Sequence, residues 1–431
     1  MFELAGPIIR SRLEPDYYKF TMGQLIWRKY RDVETTFALS NRTTHARLGR
    51  LVDLGELREH LDHARSLAFT DSEVDFLRGI REGDRRVFDE GYLSFLRELR
   101  LPPYQLNRRG DDLELEFTGA WAEVTYWETT ALSIVSEIYS RTLLRQVSRF
   151  EGHAVFAEGI RRLRDKIAVL RHCPDVRFSD FGTRRRFAGV WQYFVDEVLR
   201  DELNGGSARG QFLGTSNTHA AMVTAIAPVG TSAHELPMIL AGLLDQGDAS
   251  PEPLRRAQRQ VIDDWWQEYG VGLSIFLPDT FGTDVFFSVV TDDDLQRWKG
   301  FRWDSGPMIE FGERVIAAYR AIGIAAEEKA LVLSDALDLP AIIEAQERFG
   351  GRIQVSFGWG TGLTNDFLDS VMVGDTWWGP MSLVIKPTRA NGRGLVKLSD
   401  NPAKAIGRAA DVERYKRAAS YREHQFVAPR Y

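Results

Sequence analysis

The sequence contains a single cysteine, Cys173, among its 431 residues. One cysteine cannot form an internal disulfide, and it also excludes a metal site built from several cysteines. No run of 18 consecutive apolar residues is present, so we expect no membrane span. The first residues have neither the basic region nor the apolar run of a signal peptide. These absences predict a protein of the reducing cytoplasm that has no membrane partner.

An excess of positive charge is also missing. Lysine and arginine number 55 against 61 acidic residues, which gives a net charge of −6. This balance gives no support for nucleic-acid binding in general, although it leaves room for a local basic pocket. No Gly-x-Gly-x-x-Gly pattern opens an early helix, and no Gly-x-x-x-x-Gly-Lys-Ser/Thr loop occurs. The sequence therefore does not indicate a Rossmann or P-loop nucleotide-binding domain.

What the second half does contain is a series of short apolar runs that end in small polar, acidic or glycine residues. Helical stretches fall between these runs, and the alternation is typical of parallel β/α units. In such folds the carboxyl ends of the strands and the loops after them form the working face. The pattern predicts an α/β fold with a barrel-like domain. The candidate strands lie near residues 211–213, 272–277, 300–302, 330–333 and 353–357.

The length and the hydrophobic content of 44% predict a globular protein of two domains. We expect an N-terminal α+β domain at about 1–130 and a catalytic domain at about 131–380. In the first domain, residues 51–91 are helical in pattern, and 113–117 alternate as in a half-exposed strand. After about residue 380 the chain becomes basic and loop-rich, and we expect 380–431 to rejoin the first domain.

Two motifs of the second half suit an anionic ligand. Gly358-Trp-Gly-Thr361 can present backbone N–H groups to a phosphate at a helix N-terminus, although an ordinary tight turn has the same pattern. Thr183-Arg-Arg-Arg186 places three cations where they oppose the helix dipole, a conflict that an anionic ligand would resolve. The alternative for the arginines is a solvated first helical turn.

His234 is a candidate nucleophile, and His219 is a weaker one. A neutral imidazole near a phosphate can attack it when a carboxylate orients the other ring nitrogen. Glu235, next in sequence, and Asp279, at another strand end, are the candidate orienting groups. A histidine with a purely structural role is the alternative.

Two further acidic residues, Asp304 and Asp335, follow predicted strands. Such carboxylates suit Mg²⁺ held through a polyphosphate, or the hydroxyls of a ribose. Each could instead cap a helix, and Asp335 resembles a cap most closely. Arg302 lies two residues before Asp304 and could pair with it or with a carboxylate of the substrate.

Together these motifs resemble nicotinate phosphoribosyltransferases, which have the type II phosphoribosyltransferase fold. The resemblance is collinear over nearly the whole chain, and the order and spacing of the motifs make it specific. The motifs are Asp16-Tyr-Tyr-Lys19, Trp121-Ala-Glu-Val124, Trp127-Glu128, Ser136-Glu137, Asp180-Phe-Gly-Thr-Arg-Arg-Arg-Phe187, Gly214-Thr-Ser-Asn217, Gly230-Thr-Ser-Ala-His-Glu235, Asp304-Ser-Gly306, Phe357-Gly-Trp-Gly-Thr361 and Lys397-Leu-Ser-Asp400.

The resemblance implies an irregular α/β barrel whose N-terminal α+β domain is completed by the C-terminal segment. It implies a homodimer with shared active sites. The reaction would join nicotinate to phosphoribosyl pyrophosphate and release nicotinate mononucleotide and pyrophosphate, a step of NAD salvage. ATP would be a co-substrate hydrolysed through a phosphohistidine, and Mg²⁺ would be required.

The resemblance also assigns roles to individual residues. His234 matches the phosphorylated histidine, and Asp279 matches the carboxylate that orients it. Tyr18 and Phe181 match the two aromatic rings that sandwich the pyridine, with Tyr18 supplied by the partner subunit. Arg184 or Arg185 would meet the phosphates, Arg302 and Asp304 would line the ribose and pyrophosphate region, and Gly358, Gly360 and Thr361 would hold the 5′-phosphate. Thr183 and Asp335 are further predicted substrate-binding residues.

Ser216 distinguishes between two substrates. The related nicotinamide enzyme carries an aspartate at this place, which can accept a hydrogen bond from an amide but would repel the carboxylate of nicotinate. A serine hydroxyl can donate to that carboxylate instead. Ser216 therefore predicts the acid as substrate, and a nicotinamide-using transferase is the alternative.

Two positions depart from the family pattern. Pro307 follows Asp304-Ser-Gly306 where the family commonly has an aspartate, so one carboxylate and one N–H near the phosphates are lost. This loss keeps a diverged, non-catalytic metabolite-binding protein as an alternative. Gly362 stands where a larger residue is usual, which predicts a looser phosphate loop. The quinolinate enzyme fits poorly because it needs neither ATP nor this histidine, and no recognised strand-end lysine supports a Schiff-base aldolase.

Overall fold

The computed structural model describes residues 4–43, 45–207, 210–367, 371–373 and 376–422. Over these residues the search for a helix long and apolar enough to cross a membrane found none. The strands are β1 (Glu34–Asn41), β2 (Arg81–Glu82), β3 (Arg85–Arg86), β4 (Tyr104–Arg109), β5 (Asp112–Ala120), β6 (Phe178–Asp180), β7 (Phe212–Thr215), β8 (Ile275–Phe276), β9 (Gly300–Trp303), β10 (Ala330–Leu333), β11 (Gln354–Trp359), β12 (Val371–Val373), β13 (Thr376–Trp378), β14 (Leu383–Ala390) and β15 (Arg393–Gly394).

Helices connect most of these strands, and short 3₁₀ turns lie at Thr183–Arg185, Asp279–Phe281, Ala326–Glu328 and Pro402–Lys404. The helices are α1 (Tyr17–Lys29), α2 (Leu48–Leu51), α3 (Leu54–Ser66), α4 (Asp71–Gly79), α5 (Glu90–Glu98), α6 (Trp121–Val124), α7 (Trp127–Arg145), α8 (Arg149–Arg171), α9 (Gly189–Asn204), α10 (Thr218–Thr224), α11 (Glu235–Leu244), α12 (Glu252–Tyr269), α13 (Thr283–Phe287), α14 (Asp292–Arg297), α15 (Met308–Ala321), α16 (Leu339–Phe349), α17 (Thr361–Thr364) and α18 (Ala409–Ala418).

A six-stranded parallel sheet forms the centre of the second half, in the order β7-β6-β11-β10-β9-β8. Because all six strands run the same way, their carboxyl ends meet at one edge, as the sequence pattern predicted. One strand is shorter than predicted: of residues 272–277 only Ile275 and Phe276 pair, because the chain before them turns back, with Ser274 N donating to Val271 O.

An irregular segment, residues 227–234, spans the gap between the two end strands β7 and β8. At its start Pro228 bridges to Thr215 of β7. At its end His234 hydrogen-bonds to Thr280, which follows β8, and to Asp304, which follows β9. Irregular backbone thus replaces the missing strand pairing, which agrees with the irregular α/β barrel predicted from the sequence.

The second sheet is antiparallel and has the order β15-β14-β1-β5-β4. The C-terminal strand β14 lies between β1 and β15, so the C-terminal segment completes the N-terminal domain as expected. The predicted strand at 113–117 lies within β5. The helical prediction for 51–91 missed the small hairpin β2–β3, whose turn places Gly83 at a φ of 61°. The boundaries near residues 130 and 380 stay predictions.

The start of α1 is joined to the carboxyl end of β7. Tyr17 N donates to Ser216 O at 2.7 Å, and Asp16 forms a bridge with Asn217. Thr218 Oγ1 donates to Pro15 O at 2.9 Å. These bonds hold the start of the first helix of the N-terminal domain against the carboxyl edge of the parallel sheet.

Arg186 is fully buried beneath that edge. Its Nη2 lies 2.8 Å from Glu14 Oε2, and its Nε lies 3.9 Å from Glu137 Oε2. Both carboxylates are also buried, with 4% of each side chain exposed. A buried ion pair is costly to break because the remaining charge has no water to stabilise it.

Arg186→Met should therefore lower the free energy of unfolding by about 3–5 kcal/mol, measured by urea denaturation. The matched control is Arg408→Met, since Arg408 also pairs with an acidic residue, Asp411, but has 81% of its side chain exposed. The control should change stability by less than about 1 kcal/mol. Equal losses in the two variants would contradict a structural role for the buried pair.

Candidate active site

A cavity of about 670 Å³ opens at the carboxyl edge of the parallel sheet. It also receives side chains from the start of α1 and from the C-terminal segment. Two predicted site residues, Thr183 and Asp279, are not among its lining residues and lie behind it. The predicted site residues that do line it are Tyr18, Phe181, Arg184, Arg185, Ser216, His234, Arg302, Asp304, Asp335, Gly358, Gly360 and Thr361.

His234 immediately precedes α11 and is 3% exposed. Its Nε2 lies 2.9 Å from Asp304 Oδ2, and its Nδ1 lies 2.9 Å from Thr280 Oγ1. Burial, followed by the nearby positive charge of Lys397, lowers the pKa of His234 to about 4. The imidazole is therefore neutral at physiological pH, which is the form that can act as a nucleophile.

Asp279 approaches the same ring nitrogen less closely, with Oδ1 3.8 Å from His234 Nε2. Its Oδ2 accepts from Ser305 Oγ at 2.6 Å, whereas the buried Oδ1 has no hydrogen-bond partner among the described residues. Thus the direct hydrogen bond to His234 comes from Asp304, and the orienting role assigned to Asp279 stays a prediction. Ligand atoms of the three residues lie within 4.8 Å of one another, a spacing that a metal ion could occupy.

Two aromatic rings, those of Tyr18 and Phe181, line the cavity of a single chain. This corrects the expectation that a partner subunit supplies Tyr18, because the contact of α1 with β7 already brings that ring to the site. Gly358 makes room for Phe181, since a Cβ at Gly358 would lie 2.3 Å from the Phe181 ring. A Cβ at Gly230 would lie 3.1 Å from the backbone nitrogen of Tyr18.

The three consecutive arginines have different environments. Arg184 and Arg185 line the cavity, whereas Arg186 is buried in the ion pair described above. Arg184 lies 3.9 Å from Asp16 and 3.7 Å from Glu128, and about a third of its side chain is exposed. Only the first two arginines can therefore meet an anionic ligand.

Ser216 at the end of β7 faces a carboxylate that the sequence did not reveal. Its Oγ donates to Asp16 Oδ1 at 2.6 Å and lies 3.1 Å from Thr183 Oγ1. Gln192 in turn donates to Thr183, which explains why Thr183 lies behind the cavity wall. Asp16 is 2% exposed and lines the cavity beside Ser216.

Asp335 does not cap a helix in the structure. The N-cap of α16 is Asp338, whose Oδ1 accepts from Ala341 N at 2.9 Å. Asp335 instead lies 2.5 Å from Lys404 Nζ, and Lys404 also donates to Asp304 O at 2.7 Å. The loop after β10 is thereby tied to the C-terminal segment across the cavity. Arg302 donates to Ser232 O at 3.0 Å and is available at the same wall.

The glycine turn after β11 packs closely rather than loosely. A Cβ at Gly362 would lie 3.0 Å from Leu337 O and 2.8 Å from the indole nitrogen of Trp359. A Cβ at Gly360 would lie 3.0 Å from Phe181 O. The expectation that Gly362 loosens this turn was wrong, because the backbone of the neighbouring loop fills the space that a side chain would need. Thr361 begins the short helix α17 at the cavity wall.

Five basic residues of the site were missed by the sequence reasoning: Arg42, Lys166, Lys386, Lys397 and Lys404. None belongs to a β/α loop, and three belong to the C-terminal segment, which was recognised only as basic and loop-rich. Burial lowers the pKa of Lys397 to about 8, although Asp279 at 3.9 Å opposes the change. The motif Lys397-Leu-Ser-Asp400 was the one signal that could have placed Lys397 there.

Pro307 lies outside this cavity. It contributes to a smaller one of about 100 Å³ beside α13 and α15, with Asp400 and Tyr421 in its wall. The proline forms the N-cap position of α15 and is not among the residues that line the main cavity. Its departure from the family pattern therefore leaves the lining of the main cavity intact.

A parallel sheet with cations, a glycine turn and a buried histidine at its carboxyl edge defines a phosphate-handling α/β enzyme. Comparisons with known proteins specify it further. Residues 13–136 match the model of the nicotinate phosphoribosyltransferase N-terminal domain, and residues 176–427 match that of the nicotinate phosphoribosyltransferase family. The chain belongs to the nicotinate phosphoribosyltransferase family, a group of pentosyltransferases.

Solved structures agree with the family models. The chain is similar to nicotinate phosphoribosyltransferase from Vibrio cholerae, with 28% identity, a TM-score of 0.83, and coverage of 97% of this chain and 95% of the other. It is also similar to nicotinate phosphoribosyltransferase from Porphyromonas gingivalis, with 27% identity, a TM-score of 0.79, and coverage of 96% and 100%. The resemblance predicted from the motifs is confirmed.

The electrostatics of His234 can be tested directly. Histidine ring resonances followed by NMR should give His234 a midpoint near pH 4. Lys397→Met should raise this midpoint, because removing the positive neighbour makes the charged imidazolium less costly. Lys299→Met is the control, since Lys299 is well exposed and pairs with Glu82 instead. A wild-type midpoint near the ordinary value of about 6.5 would contradict the buried, neutral histidine.

Proposed function

We propose that this family member makes nicotinate mononucleotide and couples the transfer to ATP hydrolysis through a phosphohistidine at His234. The observation that carries the proposal is a buried, neutral imidazole held between Asp304 and Thr280 at the wall of a cation-rich cavity. A histidine that served only to pack the core would need neither a carboxylate partner nor contact with a cavity. The cellular role would be NAD salvage.

The transfer itself requires positioning and charge neutralisation more than acid–base chemistry. Phosphoribosyl transfer passes through a sugar with oxocarbenium character as pyrophosphate leaves and the pyridine nitrogen approaches C1. Tyr18 and Phe181 would hold the flat pyridine ring between them. Ser216 and Asp16, at the same wall, would meet the group that the ring carries.

Phosphate groups would be neutralised by the cations of the cavity. Arg184 lies near Tyr18, Arg185 lies near Asp335, and Lys397 and Lys404 lie on the side of His234. Gly358, Gly360 and Thr361 provide a close backbone approach for the 5′-phosphate. The ribose and the pyrophosphate would then lie between these groups, beside the strand-end residues Arg302, Asp304 and Asp335.

Phosphorylation of His234 would place up to two negative charges among Asp279, Asp304 and Lys397. Because Nε2 of neutral His234 donates to Asp304, a phosphoryl group on Nε2 would replace that hydrogen, which would leave as a proton to Asp304 or to solvent, and would end the hydrogen bond. Lys397 and Lys404 are close enough to compensate the added charge. Such a change would alter the site for phosphoribosyl pyrophosphate and could draw an unfavourable equilibrium forward.

Mg²⁺ is proposed as the cofactor. The carboxylates of Asp279 and Asp304 fit a hard cation, and the unpartnered Oδ1 of Asp279 offers a buried acceptor. When bound, the ion would neutralise the charge that develops on the phosphate oxygens.

A homodimer also remains part of the proposal, although one chain already supplies both aromatic rings.

A nicotinamide-using transferase is the second candidate, and Asp16 is the observation that favours it. Ionised Asp16 beside Ser216 could accept a hydrogen bond from the amide of nicotinamide, as the aspartate of the related enzyme would. The carboxylate of nicotinate would be repelled by the same group. The two substrates must therefore be compared experimentally.

The first test measures product formation from phosphoribosyl pyrophosphate and Mg²⁺ with each base, with and without ATP. We expect nicotinate mononucleotide from nicotinate, a rate increase on adding ATP, and little product from nicotinamide. Faster turnover of nicotinamide would instead favour the second candidate. Absence of product from either base would leave a non-catalytic binding protein.

The coupling is tested with His234→Asn. The variant cannot carry the phosphoryl group, so the ATP-stimulated rate should fall about a hundredfold or more, with ATP hydrolysis lost in parallel. His219→Asn is the control, because His219 bonds to Tyr193 and does not line the cavity. Full ATP stimulation in the His234 variant would refute the phosphohistidine.

A further inference from the structure

The hydroxyl of Ser216 has one hydrogen and more than one acceptor around it. Its Oγ is 2.6 Å from Asp16 Oδ1 and 3.1 Å from Thr183 Oγ1, and the hydrogen is directed at Asp16. Thr183 is already bonded to Gln192. With Asp16 ionised, Ser216 therefore cannot donate a hydrogen bond into the cavity.

This arrangement conflicts with the binding of a carboxylate at the same wall. A nicotinate carboxylate beside Ser216 would face ionised Asp16, which is 2% exposed and so poorly screened by water. It would also find no donor in the hydroxyl. Nicotinamide meets no such conflict, because its NH₂ group can donate to an ionised aspartate.

Arg184 is engaged by the same carboxylate. Its Nε lies 3.9 Å from Asp16 Oδ2, and its Nη1 lies 3.7 Å from Glu128 Oε1. Glu128 is itself satisfied by Lys19 at 2.6 Å and Lys386 at 2.5 Å. If Asp16 were neutral, Arg184 would lose one of its two anionic neighbours and could pair with a carboxylate in the cavity.

We propose that nicotinate binding takes up one proton from solvent onto Asp16, which makes Asp16 the residue that decides between the acid and the amide. The proton forms an O–H bond on Asp16 that donates to Ser216 Oγ, and the Ser216 hydroxyl then turns to donate to nicotinate. No bond to carbon changes, and the added proton balances the added carboxylate charge. The inference rests on the proposed function of the site.

The surroundings of Asp16 support protonation. Charged and titratable groups face it from four places: Arg184 after β6, Glu128 on α7, Tyr18 on α1 and Asp180 at the end of β6. Burial raises the pKa of Asp16, and although Arg184 and the Ser216 hydrogen bond oppose this, the net direction is upward. A nicotinate carboxylate would add a further negative charge and raise it again.

Calorimetry in buffers of different ionisation enthalpy counts the protons taken up on binding. Nicotinate titrated into the wild-type protein, with Mg²⁺ and pyrophosphate present, should take up about one proton above the pKa of Asp16. Nicotinamide should take up none. Asp16→Asn should take up none with either base, because the side-chain amide can donate to Ser216 without titrating.

Kinetics provide an independent readout. The KM for nicotinate should rise about tenfold for each pH unit above the pKa of Asp16, since binding then requires a proton, and should be flat below it. In Asp16→Asn the KM should lose this dependence. Asp196→Asn is the matched control: Asp196 is an equally buried carboxylate that does not line the cavity, so the proton uptake should persist.

Nicotinate turnover with no proton uptake and a pH-independent KM would overturn this inference and leave the proposed function in place. Uptake that persists in Asp16→Asn would also overturn it. If the wild-type protein neither binds nor converts nicotinate, the proposed function fails and the inference fails with it. If Asp16→Asn does not fold, the proton count of the wild-type protein and of Asp196→Asn decides the question.

Discussion

The contact between the start of α1 and the end of β7 is the constraint on which the site depends. The hydrogen bond from Tyr17 N to Ser216 O and the bridge between Asp16 and Asn217 hold the N-terminal domain against the parallel sheet. Through this contact Tyr18 comes to the wall that Phe181 occupies, and Asp16 comes to Ser216. Without it, two of the residues proposed to bind the pyridine substrate, Asp16 and Tyr18, would not reach the cavity.

A series of buried ion pairs connects the start of α1 to the residue that follows His234. Lys19, the next residue of α1, pairs with Glu128 and with Glu235, which directly follows His234 at the start of α11. Glu235 also accepts hydrogen bonds from Thr125 and Trp121. Every carboxylate in this chain of contacts has a partner, as burial in a low-dielectric interior requires. Asp16 and Tyr18 at the start of α1 and His234 before α11 are therefore linked through one layer of buried, paired charges.

Much of this arrangement was predictable from the sequence, and the failures have identifiable causes. The ends of strands β7, β9, β10 and β11 follow directly from local pattern, because apolar runs and turn residues act within a few positions of each other. Asp335 was wrongly considered as a cap because Asp335 and Asp338 have the same local context, and only the position of Lys404 separates them. Gly362 was wrongly predicted to loosen the glycine turn. The backbone at Leu337 occupies the space beside it, and the sequence does not show that this distant loop packs there.

The sequence by itself determined the family and the parallel β/α order, and it predicted His234, Ser216 and the glycine turn as site residues, since each depends on residue type and short spacing. Tertiary structure alone decided which side chains meet. Asp16 accepts from Ser216, and Asp304 rather than Asp279 bonds to His234. Of the C-terminal lysines, Lys397 approaches Asp279, and Lys404 donates to the carbonyl of Asp304. Those pairings join residues tens to hundreds of positions apart. Their geometry follows from how the two sheets and α1 pack together, and that packing has no local signature in the chain.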